Sequence, residues 1–331
     1  MTQDATALPR VSIVTVYYNR EAYVADAIES LLAQDYPNLE IIAVDDGSTD
    51  GTLAALRRYE DPRYRVLTKP NSGFTDTINH GIQASDGTYL AIHGSGDISY
   101  PARISKQAAV LRAREGIGLV GCHVAIEQNP GDTAKIRART KRGSLADTIA
   151  ASNPFTHGEV MVRRALYDRV GGYRPFFQYA QDRDLWVRMA RHSDYDIVPE
   201  TLYLRRKLDG GVAVSPTKLL MQAYFSDFAI QCGASVDAHG KDLLDRHGPK
   251  ALFWRKRSKA LSKKLSGYAL QWLRRGEAEA AQMLMEAALA EGRLPSTLVK
   301  SGLCRLHTWP AIWRLLVTPM LDRYNMVRPQ L

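Results

Sequence analysis

The first hundred residues alternate between short apolar segments and stretches with helical periodicity, and this alternation constrains the fold more than any other feature. Residues 11–16 are β-branched and mostly apolar, as expected of a strand buried on both faces. Similar segments begin at Glu40, Tyr64 and Tyr89, and a stretch with helical spacing precedes each of them. The alternation predicts an α/β fold whose open, mostly parallel sheet is flanked by helices.

Polar residues cluster where three of these predicted strands end. Tyr18 follows the first strand, Asp45 and Asp46 follow the second, and residues 93–97 follow the fourth. Ligands of open α/β sheets bind beyond the carboxyl ends of the strands. A carboxylate there can accept a hydrogen bond from a ribose or a base, although Asp is also common in turns and helix caps. No glycine-rich dinucleotide or P-loop motif follows the first strand, which disfavours those two classes.

The rest of the chain is less regular and then becomes helical. The middle section contains a helix and a strand followed by a loop-rich stretch around residues 127–157, and a further helix begins at Asp182. From about residue 216 the pattern is helical, with its strongest signal at residues 277–290. We therefore predict two domains, residues 1–215 and 216–331.

The positive charge of the chain belongs to its C-terminal quarter. The whole chain has 44 Lys and Arg against 35 Asp and Glu, a net charge of +9. From Arg246 onward there are 16 basic residues against 5 acidic ones, so the preceding part is slightly acidic. The bases of residues 255–264 alternate with apolar residues, namely Leu252, Phe253, Trp254, Leu261 and Leu265. This pattern predicts either an amphipathic helix on an anionic membrane surface or a solvated basic face of a helical domain.

Cellular context is predicted from what the sequence does not contain. The first ten residues lack the apolar core of a secretory signal, and no stretch is long enough to span a bilayer. The apolar, Pro-interrupted segment 309–320, which contains Trp309 and Trp313, suits an interface only. The three cysteines have no metal-ligand spacing, and Cys122 is expected to pack as a small apolar residue. We expect a cytoplasmic protein, peripheral at the inner face of the membrane at most, with no nucleic-acid partner.

Five blocks in order give the sequence a specific resemblance over residues 10–215. They are residues 11–19, residues 44–52 (VDDGSTDGT), Asn71-Ser72-Gly73 with Asn79, a strand ending in a Ser-x-Asp turn, and residues 153–188 with VGGY and QDRDLWVR. Together they resemble the family 2 glycosyltransferases. The resemblance implies a GT-A fold, with a donor half at about 10–97 and an acceptor half at about 98–215. It also implies inverting transfer from a nucleotide diphosphate sugar, such as a UDP-sugar, to a glycan or lipid-linked acceptor in cell-surface polysaccharide synthesis.

The resemblance also implies roles for individual residues. Tyr18 matches the residue beside the donor base, and Asp46, with its neighbour Asp45, matches the carboxylate that reads a base N–H. Asn71 joins this donor site, and Asp97 matches the last acid of a turn that handles ribose, metal and diphosphate. On the acceptor side, the implied residues are the general base Asp182 with His157 and Trp186.

Some of these residues have plainer interpretations. A carboxylate at a helix start is favoured in its ionised form by the helix dipole, but Asp182 could also be a simple cap. His157 could equally be a structural histidine, and Trp186 could be core. Asp184 and Arg188, four residues apart, could form an ion pair on the helix surface.

The departures from the family pattern concern the metal. Gly94 and Gly96 stand where acids are expected, Gln181 replaces the Glu beside the base, and Leu208 replaces a His. A divalent cation needs several hard oxygen ligands, so we expect Mg²⁺ or Mn²⁺ to bind weakly or not at all. Asp97 would be its main remaining ligand, with His93 as a substitute.

The basic residues beside position 208 offer another source of positive charge. Arg205, Arg206 and Lys207 could stabilise the diphosphate instead of a metal, or they could be a plain basic surface. The lost acids leave open a degenerate GT-A module that only binds a nucleotide sugar or a partner protein. A nucleotidyltransferase is a third alternative, disfavoured because residues 16–20 lack a glycine-rich basic loop.

Overall fold

The structure is a computed structural model, and it describes residues 8–127, 132–138, 140, 143–207 and 215–306. Contacts between Cα atoms divide the chain into two compact units, Met1–Asp209 and Gly210–Leu331.

The first unit is built on a sheet whose first four strands are parallel. In space their order is β3-β2-β1-β4, with β1 at Val11–Tyr17, β2 at Leu39–Asp45, β3 at Tyr64–Thr68 and β4 at Tyr89–Gly94. The side chains of β1 and β2 are buried on both faces, which explains their continuous apolar sequence. The four strands lie where the sequence predicts them.

Five further strands extend this sheet beyond β4 in mixed orientations. The added strands are β5 (Ile98–Ser99), β6 (Ile117–Glu127), β7 (Lys135–Arg137), β8 (Met161–Arg163) and β9 (Asp194–Arg206). Strand β8 is antiparallel to both β4 and β6, whereas the long β9 runs parallel to β6. The sheet is thus parallel in its first half and mixed as a whole, and the predicted fold class is confirmed.

Helices pack around the sheet through their apolar faces. They are α1 (Val24–Leu32), α2 (Thr52–Leu56), α3 (Phe74–Gln83), α4 (Arg103–Ala113), α5 (Leu145–Ala151), α6 (Arg164–Arg169) and α7 (Gln181–Met189). The stretch predicted to be loop-rich contains β7 and α5, and α5 starts at a capping box formed by Ser144 and Asp147. As predicted, Leu185 and Met189 of α7 are core residues and Cys122 is fully buried.

The second unit is helical, as predicted. Its helices are α8 (Pro216–Ala234), α9 (Leu243–His247), α10 (Lys259–Arg274), α11 (Ala278–Glu291) and α12 (Pro295–Leu306). In the part of the chain that the structure describes, no helix is long and apolar enough to cross a membrane. The segment 309–320 lies outside the described residues.

The structure corrects the prediction of a membrane-lying amphipathic helix at residues 252–265. Leu261 and Leu265 are 2% and 0% exposed because they belong to the core formed by α8, α10 and α11, against which α12 packs. The apolar face of α10 is therefore already covered by protein. Leu252, Phe253 and Trp254 precede α10 in a short 3-10 helix and remain exposed.

Candidate active site

The carboxylate of Asp46, at the end of β2, holds together the loop that follows β3. One oxygen accepts hydrogen bonds from the Thr77 hydroxyl (2.6 Å) and the Ser72 N–H (3.0 Å), and the other accepts from the Gly73 N–H (3.0 Å). Lys69 adds an ion pair at 3.3 Å. Asp46 is 2% exposed, so its carboxylate has a structural role, and the contact with a donor base stays a prediction.

Asp45 and Asn71 complete the same loop. Asp45 accepts hydrogen bonds from Thr68 and from the Ser48 N–H, at 3.1 and 3.3 Å, and is as deeply buried as Asp46. The Asn71 amide donates to the backbone carbonyl of Asp46 (2.9 Å). The structure therefore brings together three of the predicted donor-site residues.

Lys69 is a member of this cluster that the sequence reasoning missed. Its ammonium contacts the Ser72 hydroxyl, the Pro70 carbonyl and the carboxylate of Asp46. The available signal was its position immediately after β3, at the same sheet edge as Asp46.

Tyr18 directly follows β1 and is open to solvent. Its side chain is 47% exposed, which leaves a ring face available to a planar ligand. The next residue, Asn19, adopts a left-handed conformation with φ of 51°. Hydrogen bonds hold it there, since its amide oxygen accepts from the Thr49 N–H and its own N–H donates to Ser48. Such positions cluster at functional sites.

The carboxylate of Asp97, in the turn after β4, is also committed to partners within the protein. It accepts from the Tyr203 hydroxyl (2.7 Å) and from the Arg206 N–H (3.0 Å), both on β9. Burial raises the pKa of Asp97 to about 6, although these two hydrogen bonds oppose the rise.

His93 is buried, which disfavours the predicted role as a substitute metal ligand. Its ring is 2% exposed, and Nε2 lies 3.1 Å from the backbone carbonyl of Asp97. Burial, helped by the nearby Arg103, lowers the pKa of His93 to about 3 and keeps it neutral. Its buried Nδ1 has no hydrogen-bond partner among the residues that the structure describes.

The residues around Asp97 do not fit the cation site that the resemblance implies. Both oxygens of Asp97 accept hydrogen bonds from β9. His93 is buried, and its Nε2 contacts the backbone carbonyl of Asp97. Among the described residues, no group of three or more His, Cys, Asp and Glu side chains could hold a metal ion.

The three basic residues at the end of β9 divide into two kinds. Arg206 donates to Asp26 (2.6 Å) and to Glu127 (3.1 Å), so two carboxylates already compensate its charge. Arg205 and Lys207 are exposed, and Arg205 acts electrostatically on Asp97. Of the three predicted candidates for the diphosphate, Arg205 and Lys207 are the better ones.

Asp182 lies in the first turn of α7, as the sequence predicts. The helix begins directly after Ala180, a non-glycine residue with φ of 54°. The side chain of Asp182 is partly exposed and accepts a hydrogen bond from the Asn153 amide (2.9 Å) through Oδ2. A carboxylate with one oxygen oriented by an amide is suited to accept a proton through the other.

Three aromatic side chains surround His157 on the acceptor side. The His157 ring packs at 5.4 Å from Phe74 and 5.5 Å from Tyr173, and Nε2 lies 2.6 Å from the Tyr173 hydroxyl. Burial lowers the pKa of His157, and the nearby Asp182 opposes this. Trp186 is 0% exposed and packs against His157 at 6.3 Å, so the predicted contact with an acceptor is wrong for Trp186 itself. Trp186 instead supports the His157 ring by packing against it.

The predicted surface ion pair of α7 is instead a buried one. The side chain of Asp184 is 1% exposed and pairs with Arg188 at 2.7 Å and with Arg174. Arg188 also donates to the backbone carbonyls of Val170 and Gly172, which fixes the VGGY turn against α7.

Short stretches of chain connect the Asp46 loop, the Asp97 turn and the residues around His157 at the carboxyl ends of the strands. Phe74, which contacts His157, directly follows the Gly73 that donates to Asp46. Gly158, next to His157, lies against the Tyr203 hydroxyl that donates to Asp97. The predicted donor and acceptor residues therefore lie in one region of the first unit.

Comparison with known proteins agrees with this arrangement. Residues 12–180 match the model of Glycosyl transferase family 2. The chain is 33% identical over 188 residues to EpsE of Bacillus subtilis (strain 168), assigned as a glycosyltransferase, covering 54% of this chain and 66% of EpsE. It is 37% identical over 109 residues to TuaG of the same organism, assigned as a teichuronic acid biosynthesis glycosyltransferase, covering 32% of this chain and 43% of TuaG. The chain thus spans less than two thirds of either relative.

Solved structures share the fold. The mannosyltransferase PcManGT from Pyrobaculum calidifontis, in complex with GDP-Man and Mn²⁺, has a TM-score of 0.54 and 22% identity, over 93% of this chain and 83% of its own. TarS 1–349 of S. aureus, in complex with UDP, has a TM-score of 0.53 and 15% identity, over 86% and 93%. With its fold, its strand-end carboxylates and a family match over half of its length, this chain belongs to glycosyl transferase family 2.

Proposed function

We propose that this chain is an inverting glycosyltransferase of cell-surface polysaccharide synthesis. It transfers a sugar from a nucleotide diphosphate sugar, UDP-linked in the first instance, to a hydroxyl of a glycan or lipid-linked acceptor. Family membership and the descriptions of EpsE and TuaG support the reaction class. The TarS complexes with UDP and UDP-GlcNAc support the nucleotide, while the GDP-Man complex of PcManGT makes GDP the alternative to test.

The observation that carries the proposal is the partly exposed carboxylate of Asp182 beside His157. In the proposed step the acceptor oxygen attacks the anomeric carbon and its proton passes to Asp182. The bond from that carbon to the nucleoside diphosphate breaks at the same time, which inverts the configuration. Asn153 orients the carboxylate, and the start of α7 favours its negative charge before the proton arrives.

The strand-end residues would hold the donor. Tyr18 packs against the base, while Asp46, Asp45 and Asn71 shape the loop that receives it. Charge develops on the diphosphate as it leaves and needs fixed positive groups. The exposed Arg205 and Lys207 supply them, next to Asp97 at the ribose.

The test is a thermal-shift screen with UDP, GDP and their sugar derivatives, followed by an assay of nucleoside diphosphate release without acceptor. A ligand at about 100 times its Kd should stabilise the folded protein by about 2.7 kcal/mol. Slow release of the diphosphate from the matching nucleotide sugar is expected of a transferase. Binding without any release would favour a degenerate binding module, and the absence of stabilisation by any nucleotide would contradict the proposal.

We further propose that the enzyme docks on the inner, anionic surface of a membrane where a lipid-linked acceptor would lie. Phe253 is 87% exposed, and Leu252 and Trp254 beside it are about half exposed. The sequence from Arg246 to Gly276 contains ten Lys and Arg and no acid. Asp227 and Glu291, which pack nearby, are both paired with Arg255. An exposed apolar tip within a basic surface fits anionic lipid.

Vesicle flotation tests this docking with matched variants. Phe253→Ala should reduce binding to phosphatidylglycerol vesicles, whereas Val299→Ala, at a site 64% exposed on α12, should not. Binding should also fall as salt rises, because surface attraction is screened. Equal binding to neutral phosphatidylcholine vesicles, or equal effects of the two variants, would contradict it.

A further inference from the structure

The Tyr203 hydroxyl lies between the backbone of Gly94 and the Asp97 carboxylate, in the turn where the family pattern has further acids. It accepts a hydrogen bond from the Gly94 N–H (2.9 Å) and donates to Oδ2 of Asp97 (2.7 Å). Tyr203 is 0% exposed, and the guanidinium of Arg103 lies 5.0 Å from its ring centroid. One buried side chain from β9 therefore links the backbone and the remaining acid of the turn.

Two glycines make the space for this arrangement, Gly94 for the Asp97 carboxylate and Gly158 for the Tyr203 hydroxyl. A Cβ atom at Gly94 would lie well inside van der Waals contact with Oδ2 of Asp97. A Cβ at Gly158 would overlap the Tyr203 hydroxyl in the same way. An acidic side chain at position 94 is thus incompatible with the present position of Asp97, so the glycine and the tyrosine form one arrangement.

The second oxygen of Asp97 is fixed from the same strand. The Arg206 N–H donates to Oδ1 at 3.0 Å, three residues along β9 from Tyr203. Because β9 pairs with β6 along most of its length, these two donors are held by the sheet rather than by a loop. Both oxygens of Asp97 thus accept hydrogen bonds from donors of the protein, which stabilise the carboxylate where a cation would otherwise bind.

We propose that Tyr203 is a positioning residue that replaces the divalent cation as the partner of Asp97, so that this chain binds the diphosphate of its donor without a metal ion. The proposal rests on the proposed function, since it concerns the same nucleotide site. Without the Tyr203 hydroxyl, Oδ2 of Asp97 loses the donor that holds it against β9, so the carboxylate becomes free to turn toward the diphosphate and repel it. A cation that bridges the two would relieve that repulsion.

Calorimetry of UDP and GDP binding to the full chain, in EDTA and in Mn²⁺, tests this. For the wild type, the affinity for whichever nucleotide binds should be the same in both buffers. Tyr203→Phe should bind about tenfold more weakly in EDTA, the order expected for a lost hydrogen bond to a charged group, and Mn²⁺ should restore binding. Tyr195→Phe is the matched control, because Tyr195 is also buried on β9 and bonds Thr148 through its hydroxyl.

Each other outcome is decisive. A wild-type affinity that collapses in EDTA, or a Tyr203→Phe protein that behaves like Tyr195→Phe, would overturn the proposal. If Tyr203→Phe does not fold, Gly94→Ala provides a second variant, because its Cβ would displace the Asp97 carboxylate. Its nucleotide affinity should depend on Mn²⁺ in the same way. If neither UDP nor GDP binds in either buffer, the proposed function itself fails, and this proposal fails with it.

Discussion

The acids at the strand ends and the acid at the start of α7 are used in opposite ways. Asp46 and Asp97 are held by internal donors on both carboxylate oxygens, whereas Asp182 accepts one hydrogen bond, from Asn153, among the described residues. A carboxylate that is fully hydrogen-bonded shapes the site, and one with a free oxygen can take a proton. In the proposed function, this difference distinguishes the carboxylates that build the site from Asp182, which would accept the proton.

The largest expected effect concerns Asp184, a carboxylate whose role is structural only. Asp184→Asn removes the partner of two buried guanidinium groups, those of Arg174 and Arg188. We expect the free energy of unfolding to fall by about 3–5 kcal/mol, as when one partner of a buried pair is removed. Urea denaturation measures this. Asp196→Asn, which breaks the exposed pair with Arg114, is the control and should cost less than about 1 kcal/mol. Equal losses of unfolding free energy in the two variants would contradict the structural role assigned to the buried pair.

A smaller effect is expected at Asp46, where the two roles overlap. Asp46→Asn should lower the free energy of unfolding by about 1–3 kcal/mol, because the Ser72 and Gly73 N–H groups lose a charged acceptor. It should also weaken nucleotide binding by about 1.5–3 kcal/mol if the carboxylate reads a base N–H. Thr77→Val removes one donor to Asp46 but leaves its charge, so it should spare the affinity measured by calorimetry. Unchanged affinity in Asp46→Asn would make Asp46 a purely structural residue.

The smallest effect separates the basic residues at the end of β9. Arg205→Ala and Lys207→Ala should each weaken nucleoside diphosphate binding by about 0.5–1 kcal/mol, the range of exposed charge pairs, and more so at low salt. Arg206→Ala should instead act on stability, because its guanidinium is bonded to Asp26 and Glu127. Binding that depends on Arg206 rather than on Arg205 would reverse this assignment.

The sequence was informative where local pattern determines structure. Strands β1 to β4 and the start of α7 were predicted because buried parallel strands and helix caps have local signatures. Most of β9 was not predicted, since Asp194, Asp196 and Glu200 interrupt its apolar pattern. Strand β7 and helix α5 were missed in a polar stretch for the same reason.

The site was predictable in its residues but not in their partners. The family pattern pointed to Asp46, Asp97 and Asp182, and to the loss of acids at Gly94 and Gly96. Nothing local connects Asp97 with Tyr203, which lies 106 positions away. The sheet pairing that joins them is a property of the tertiary structure.

The most direct test of the central claim is the rate of sugar transfer by Asp182→Asn in a single turnover, once a donor and acceptor are identified. The substitution keeps a hydrogen-bonding side chain beside Asn153 but removes the proton acceptor. The account predicts unchanged urea stability, unchanged nucleotide affinity and a transfer rate lower by about 10²-fold or more. A transfer rate close to that of the wild type, with chemistry limiting, would show that Asp182 is not the base.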